Sequence, residues 1–402
     1  MVSNKNCIFN PTLKHPDNML MAIFVLIFFI LLICYSLLIE FYRRSWNQVP
    51  EFTAGDLVGE QFISIVIPVR NEESNLPALF ESLKQQSYSS SRFEVVIVDD
   101  HSTDRSWEII QSLSKEHLNI RPISLSKEPD SPTPIHAHKK FAIEKGIEQA
   151  KGELIVTTDA DCVFDSDWLF NIASFYRVTR AKFIAAPVKI QSNSSFLSIF
   201  QSLDFLTLQG ITGASVHKRF HTMCNGANLA YEKAAFYEVN GFSGIDNIAS
   251  GDDMLLMYKI YNQYPESVFY LKSRTAVVTT NPVLNWRDFL NQRIRWASKA
   301  THYDDKKIFW ILLLVYCTNL CFLILAIASL WKATWFFLFV LFLIAKILVE
   351  FPFVNAASIF FGETRLMRYF PLMQPFHILY TIVAGWFGKF GTYEWKGRRI
   401  KQ

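Results

Sequence analysis

Apolar positions are concentrated in a few long runs. From Met19 to Ile39 the chain passes about 21 residues without a charge, the length that crosses a hydrocarbon core of roughly 30 Å. Two later runs, Ile308–Leu330 and Ala333 to about Phe353, are split by Trp331 and Lys332 and read as a pair of spans with a tight turn between them. A fourth stretch, Pro371 to about Phe387, is shorter and carries Gln374, Pro375 and His377, which predicts a short or broken span or a segment lying in the interface. The first run is too long for a signal peptide, lacks a small-residue cleavage site, and leads directly into Glu40, Arg43 and Arg44.

Lys and Arg beside the runs set the expected orientation. Arg43 and Arg44 follow the first span, Lys299, Lys306 and Lys307 precede the second, and Arg365 and Arg368 follow the third. All flank the same central region, which is expected to be cytoplasmic. The basic tail (Lys396, Arg398, Arg399, Lys401) would lie outside if the fourth stretch crossed fully, so incomplete crossing is the expectation. The organisation is thus residues 1–44 with one span, a cytosolic block at 45–305, and a membrane region with a basic tail at 306–402.

Within the central block the pattern changes. Phe62–Val69, Phe93–Val98 and Glu153–Thr158 are nearly continuous apolar runs of strand length, as in parallel strands covered on both faces. Helix-periodic segments lie at Leu76–Gln86, Asp104–Leu113 and Lys139–Ala150. The alternation predicts βαβ units and a doubly wound α/β sheet, in which ligands sit at the carboxyl ends of strands.

Composition narrows the function classes. Hydrophobic residues make up 50% and charged residues 19% of the 402, with 36 Phe, where soluble domains carry roughly 25% charged. Disorder, collagen and a disulfide scaffold are excluded. A net charge of +4 offers no broad field for nucleic acid, and no finger or basic-aromatic stripe is present. The six Cys are scattered without metal-ligand spacing, which fits a reducing compartment for the bulk of the chain.

Acidic residues recur just past the predicted strands. Arg70-Asn71-Glu72-Glu73 follows the first, Asp99-Asp100-His101-Ser102 the second, and Asp159-Ala160-Asp161 the later one. Ser250-Gly251-Asp252-Asp253 precedes a further helix-periodic segment. Each has a plain alternative: helix capping for Asp99-Asp100, a surface pair for Asp159 and Asp161, and a negative first helical turn for Asp252-Asp253. Their joint appearance in order favours a crevice that holds a divalent cation and a hydroxylated ligand.

With these motifs the block resembles the cytosolic catalytic domain of membrane-bound family 2 glycosyltransferases (GT-A fold), the group of cellulose, chitin and hyaluronan synthases and ceramide glucosyltransferase. The resemblance covers about Phe62 to Lys299. Ile67-Pro68-Val69-Arg70-Asn71-Glu72-Glu73 matches the opening strand and the loop that meets the nucleotide. Val98-Asp99-Asp100 resembles the motif that contacts base or ribose, which implies that role for Asp100 and Asp99. Asp159-Ala160-Asp161 resembles the DXD motif that holds metal and diphosphate. Asp252-Asp253 stands where the family usually has Glu-Asp, which implies Asp253 as catalytic base with Asp252 beside it. Gln292, Arg295 and Trp296 match QxxRW, and Lys139 and Lys140 resemble a basic patch near the nucleotide. Gly251-Asp252 departs from the usual Thr-Glu, and His138 stands where many relatives have Gly.

The resemblance implies inverting transfer from a nucleotide sugar, UDP being the family's commonest nucleotide. Mg²⁺ or Mn²⁺ at Asp159 and Asp161 would neutralise the leaving diphosphate. Arg295 suits a diphosphate oxygen, Trp296 a stacked acceptor sugar or lipid head group, and Asn225 the acceptor pocket. Anchoring at the membrane interface is the plain alternative for Arg295 and Trp296, and a plain turn is the equal alternative for Asn225 in Asn225-Gly226-Ala227-Asn228. Three or four spans make a thin wall for a polymer channel, so a lipid or lipid-linked acceptor is expected over a processive polysaccharide synthase. An inactive nucleotide-sugar-binding assembly protein would be a reading of another class, but no missing carboxylate supports it. With no other targeting signal, a bacterial inner membrane is the expected location.

Overall fold

The computed structural model describes residues 16–55, 60–116, 119–127, 137–248, 250–298, 306–395 and 398–401. Lys299 and Lys396, used above for orientation, lie outside the described residues. The strands are β1 (Ile63–Val69), β2 (Phe93–Asp99), β3 (Ile120–Ser124), β4 (Leu154–Thr157), β5 (Cys162–Phe164), β6 (Phe183–Ala185), β7 (Val188–Ile190), β8 (Leu229–Glu232), β9 (Val268–Tyr270), β10 (Val278–Thr280), β11 (Thr392–Trp395) and β12 (Arg398–Lys401). The helices are α1 (Pro16–Gln48), α2 (Leu76–Lys84), α3 (Ser106–Glu116), α4 (His138–Gln149), α5 (Trp168–Thr179), α6 (Phe196–His217), α7 (Lys233–Glu238), α8 (Met254–Gln263), α9 (Trp286–Ser298), α10 (Lys306–Ala328), α11 (Ala333–Phe361) and α12 (Phe370–Phe390).

Seven strands form one mixed sheet in the order β3-β2-β1-β4-β8-β6-β9. β1 runs parallel to β2 and β4, whereas β8 runs antiparallel to β4 and β6. The apolar runs are explained by burial on both faces. Ile63, Ile65 and Ile67 pack on one side with α2 and α5; Val66, Val96 and Val98 pack on the other with α4. Full burial of each such side chain stabilises by about 1.5–3 kcal/mol. The second core continues without interruption into Phe28, Phe322, Phe342 and Phe353 of the apolar helices.

A smaller sheet, β5-β10-β7, stands at the edge of the crevice. Its antiparallel pairing of Cys162 with Thr280 brings the chain after β4 against the end of β10.

Among the described residues, three helical stretches are long and apolar enough to cross a membrane: Met19–Gln48, Lys306–Ala328 and Ala333–Phe361. The last runs past the expected end near Phe353. The fourth predicted stretch forms α12, one helix with Pro375 inside it and Gln374 buried, and it lies outside that set. The sequence reading assigns no element to Phe196–His217. There α6 lies almost wholly buried between the sheet and the apolar helices. Two small residues permit this approach. A Cβ on Gly213 would sit 2.6 Å from the Trp46 ring, and one on Gly210 would sit 3.0 Å from Phe353.

Candidate active site

The carboxyl ends of β1, β2 and β4 place the first loops side by side. Asn71 takes a left-handed φ of 54°, which Asn tolerates, and its Oδ1 accepts from Thr103 N at 2.8 Å. The Glu72 N–H donates to Ser106 Oγ at 2.8 Å, and Glu72 Oε2 accepts from Asn75 Nδ2 at 2.6 Å. Asn71 and Glu72 thus knit the β1 loop to the loop after β2. Pro68 lies within β1 opposite Val98.

Asp99 and Asp100 end β2 and are buried, at 2% and 3% exposure. Burial pushes the Asp99 carboxyl above its ordinary value, and Ser102 hydrogen bonds only partly oppose this. Asp99 Oδ2 faces the Ser102 N–H at 3.4 Å, while buried Oδ1 has no hydrogen-bond partner among the described residues, an acceptor left for a ligand. Asp100 Oδ1 lies 3.0 Å from His101 Nδ1 and 3.7 Å from His138 Nδ1.

Lys139, in the first turn of α4, joins two of the motifs. Its Nζ lies 2.8 Å from Asp159 Oδ1 and 3.0 Å from Asp252 Oδ2. Burial opposes its charge, but Asp159 and Asp252 outweigh that and hold the ammonium well above its ordinary pKa. Gly226 makes the convergence possible: a Cβ there would be 3.1 Å from Asp252 Oδ2 and 3.3 Å from Lys139 Nζ.

Lys140 departs from the expectation of a nucleotide contact. It is 2% exposed, and its ammonium donates to the carbonyls of Ile245 (2.6 Å), Ile248 (2.8 Å) and Ser250 (2.9 Å). Successive helical residues point in different directions, so only Lys139 faces the crevice while Lys140 secures the loop ahead of Asp252.

Asp253 caps α8, its Oδ1 accepting from Met254 N at 2.7 Å and its Oδ2 from Gly226 N at 3.3 Å. Two backbone donors from different segments fix the carboxylate's orientation. Asp161 Oδ2 accepts from Thr280 Oγ1 at 2.9 Å, a consequence of the β5–β10 register. Among the described residues, no group of three or more His, Cys, Asp or Glu is placed to hold a metal unaided. Two carboxylates with phosphate oxygens and water completing the shell fit Mg²⁺ or Mn²⁺, so Asp159 and Asp161 suit a cation that arrives with a diphosphate.

Beyond Asp253 a cavity of about 910 Å³ opens between the α/β part and the apolar helices. Asn225, Asp253 and Trp296 all line it, so the structure brings these three predicted residues together. Asn225 Oδ1 is held by the Ala227 N–H at 2.9 Å. Gln292 and Arg295 do not line it. Gln292 Oε1 instead accepts from Arg293 Nη1 at 3.1 Å. Sequence reasoning passed over Arg293, whose guanidinium is buried, lies 4.2 Å from the Trp296 ring centroid, and pairs with Asp204 Oδ2 at 2.7 Å. It also missed Asp204 itself, which carries no local motif.

Known proteins are similar to this chain in sequence and fold. The family model described as "Glycosyl transferase family 2" matches residues 64–239, and "Glycosyl transferase family group 2" matches residues 154–387. The probable glycosyltransferase YdaM of Bacillus subtilis is 23% identical over 243 residues, 58% of this chain and 54% of that protein. The chain thus spans about half the length of that relative. Poly-beta-1,6-N-acetyl-D-glucosamine synthase of Staphylococcus epidermidis is 23% identical over 321 residues, 78% of this chain and 73% of that one. The mannosyltransferase PcManGT of Pyrobaculum calidifontis, solved with GDP-Man and Mn2+, superposes with a TM-score of 0.57 at 16% identity, covering 92% of this chain and 98% of that one. That likeness establishes a shared GT-A fold. Since the second family model alone spans more than half of the chain, this protein belongs to the family 2 glycosyltransferases.

Proposed function

We propose that the protein is an inverting, metal-dependent glycosyltransferase that moves a sugar from a nucleotide-sugar donor, with UDP the first nucleotide to test, to a lipid or lipid-linked acceptor. The observation that carries this reading is the station of Asp253. It borders the crevice through Gly226 and lines the cavity that reaches among the apolar helices.

In this reading Asp99 and Asp100 receive the base or ribose, with Asp99 Oδ1 as the open acceptor. Asp159 and Asp161 would hold Mg²⁺ or Mn²⁺, which when bound supplies positive charge to the leaving diphosphate. Lys139 adds a fixed positive charge beside the same carboxylates, and Arg295 is assigned to a diphosphate oxygen. Asp253 accepts the acceptor hydroxyl's proton as its oxygen bonds to the anomeric carbon and the bond from that carbon to the diphosphate breaks. Attack from the side opposite the diphosphate inverts the centre. Asn225 and Trp296 position the acceptor. The α/β part faces the cytoplasm, on the Lys and Arg distribution, and the bacterial inner membrane is the proposed location.

A processive polysaccharide synthase is the second reading, favoured by similarity to the Staphylococcus epidermidis synthase over 78% of the chain. The test is incubation of the purified protein with radiolabelled UDP- and GDP-sugars, Mn²⁺ and extracted lipids. Label in a single organic-soluble glycolipid supports the first reading; label in a long water-soluble polymer supports the second. Donor binding without any transferred label would favour an inactive binding protein.

A further inference from the structure

The cavity beside Asp253 has two unlike faces. One is apolar and borders the exterior. Phe309 and Leu312 of α10 and Trp386 and Phe390 of α12 line it while exposing 50%, 43%, 57% and 66% of their surface. α10 is one of the helices apolar enough to cross a membrane, so Phe309 and Leu312 stand where a bilayer would lie, and Trp386 and Phe390 of α12 border the same cavity. The other face is polar and buried, and its charges cancel. Asp204 pairs with Arg293 at 2.7 Å and accepts from the Tyr380 hydroxyl. Glu350 pairs with Lys346 at 2.6 Å and accepts from Gln374 Nε2 at 2.7 Å and from the Tyr35 hydroxyl.

Lys346 and Glu350 sit on α11, a helix apolar enough to cross a membrane, where ionisable groups are costly and by default mark a functional site. Here they present hydrogen-bonding atoms with no net charge.

Resting on the glycosyltransferase reading above, the geometry points to a specific acceptor class: a neutral lipid with a hydroxylated head group and no phosphate. The lipid enters sideways between α10 and α12. Its hydroxyls meet the Asp204–Arg293 and Glu350–Gln374 face, and its chain leaves past Phe309 and Trp386 into the bilayer. Two arguments exclude a lipid phosphate from the interior. Its charge would meet Asp253, Asp204 and Glu350, while Arg293 and Lys346, the cations of that inner face, are already paired. A phosphate oxygen is also deprotonated at neutral pH and needs no base, whereas a neutral hydroxyl needs Asp253. The volume of about 910 Å³ accommodates a head group and the first part of a chain, not a whole two-chain lipid. Lys306 and Lys389 also line the cavity and are exposed, at the helix ends where interfacial anchors belong.

The full chain in nanodiscs would be photolabelled with a diacylglycerol carrying a diazirine in one acyl chain, and labelled peptides mapped. The expected labels fall on 308–313 and 384–390. Tenfold excess dioleoylglycerol should reduce them at least fivefold, and dioleoylphosphatidic acid or undecaprenyl phosphate less than twofold. Leu312→Trp should cut labelling at least fivefold while leaving Mn²⁺-dependent binding of UDP or GDP unchanged. Labelling elsewhere, or equal or stronger competition by the phosphorylated lipids, overturns the proposal. If Leu312→Trp fails to fold, the competition experiment on the parent decides alone. Nucleotide binding in the same discs separates the two layers: its absence with labelling intact refutes the glycosyltransferase reading, and its presence without labelling refutes only the acceptor.

Discussion

Replacing Lys139 with Met tests the charge arrangement at the centre of the crevice. Lys139 is the cation that holds Asp159 and Asp252 together, at 2.8 and 3.0 Å. Removing one partner of a fully buried ion pair costs about 3–5 kcal/mol, and of an exposed pair about 0–1. Here the side chains are 21% (Lys139), 35% (Asp159) and 12% (Asp252) exposed. The expected loss is therefore intermediate, about 2 kcal/mol, which for a domain of this size lowers Tm by roughly 4–8 °C. Because the folded-state pKa of Lys139 lies above its ordinary value, its stabilisation is complete below about pH 10.4 and fades only as pH rises through the folded value. The Tm difference between parent and variant should thus stay constant from about pH 6 to pH 9. Mn²⁺ should raise Tm more in Lys139→Met than in the parent, since the cation then relieves carboxylate repulsion that the ammonium no longer relieves. Scanning fluorimetry of both proteins with and without Mn²⁺ reads all three quantities. A variant within 1 °C of the parent, with the same response to Mn²⁺, would refute the reasoning.

Three further outcomes are expected. Asp99→Asn should weaken nucleotide binding about 10- to 100-fold by calorimetry, the scale of a charged hydrogen bond. Since burial raises the Asp99 pKa, the parent loses stability as pH rises through that folded value, and the variant should lack this slope in chemical denaturation. Thr280→Val removes the hydroxyl that orients Asp161, and should raise the Mn²⁺ concentration for half-maximal activity about tenfold with kcat at saturating metal retained. Gly213→Val forces side-chain carbons into the Trp46 ring, and should cost about 1–3 kcal/mol with unchanged donor affinity in the surviving folded protein.

The parts of this fold that were legible in the sequence are those dictated by local pattern. β1, β2 and β4 are apolar throughout because both faces of the central sheet are covered, and the three long apolar stretches announce themselves by length. α6 was not legible because its buried surface surrounds it. With no polar stripe it shows no clear period, and its place depends on Gly210 and Gly213 admitting Phe353 and Trp46 from distant segments. The strand-end carboxylates stand out in the sequence as a set, and of these Asp159 and Asp252 meet at Lys139. Their partners do not: Thr280 reaches Asp161 through the register of a three-residue strand, and Lys139 and Lys140 differ only in the way each faces from α4. On α9, the motif spacing draws attention to Arg295, while Arg293 meets the cavity because Asp204 awaits it on another helix. Such pairings come from tertiary structure and leave no periodic trace.

The most direct test of the central claim is nucleoside diphosphate release by Asp253→Asn beside the parent, in nanodiscs with Mn²⁺, the donor that the parent uses and a neutral hydroxylated lipid. The account predicts lipid-dependent release in the parent that is abolished by chelator and falls at least 100-fold in Asp253→Asn, with donor binding preserved in the variant. Parent-like release from Asp253→Asn would contradict the assignment of this carboxylate as the base that links the nucleotide crevice to the membrane cavity.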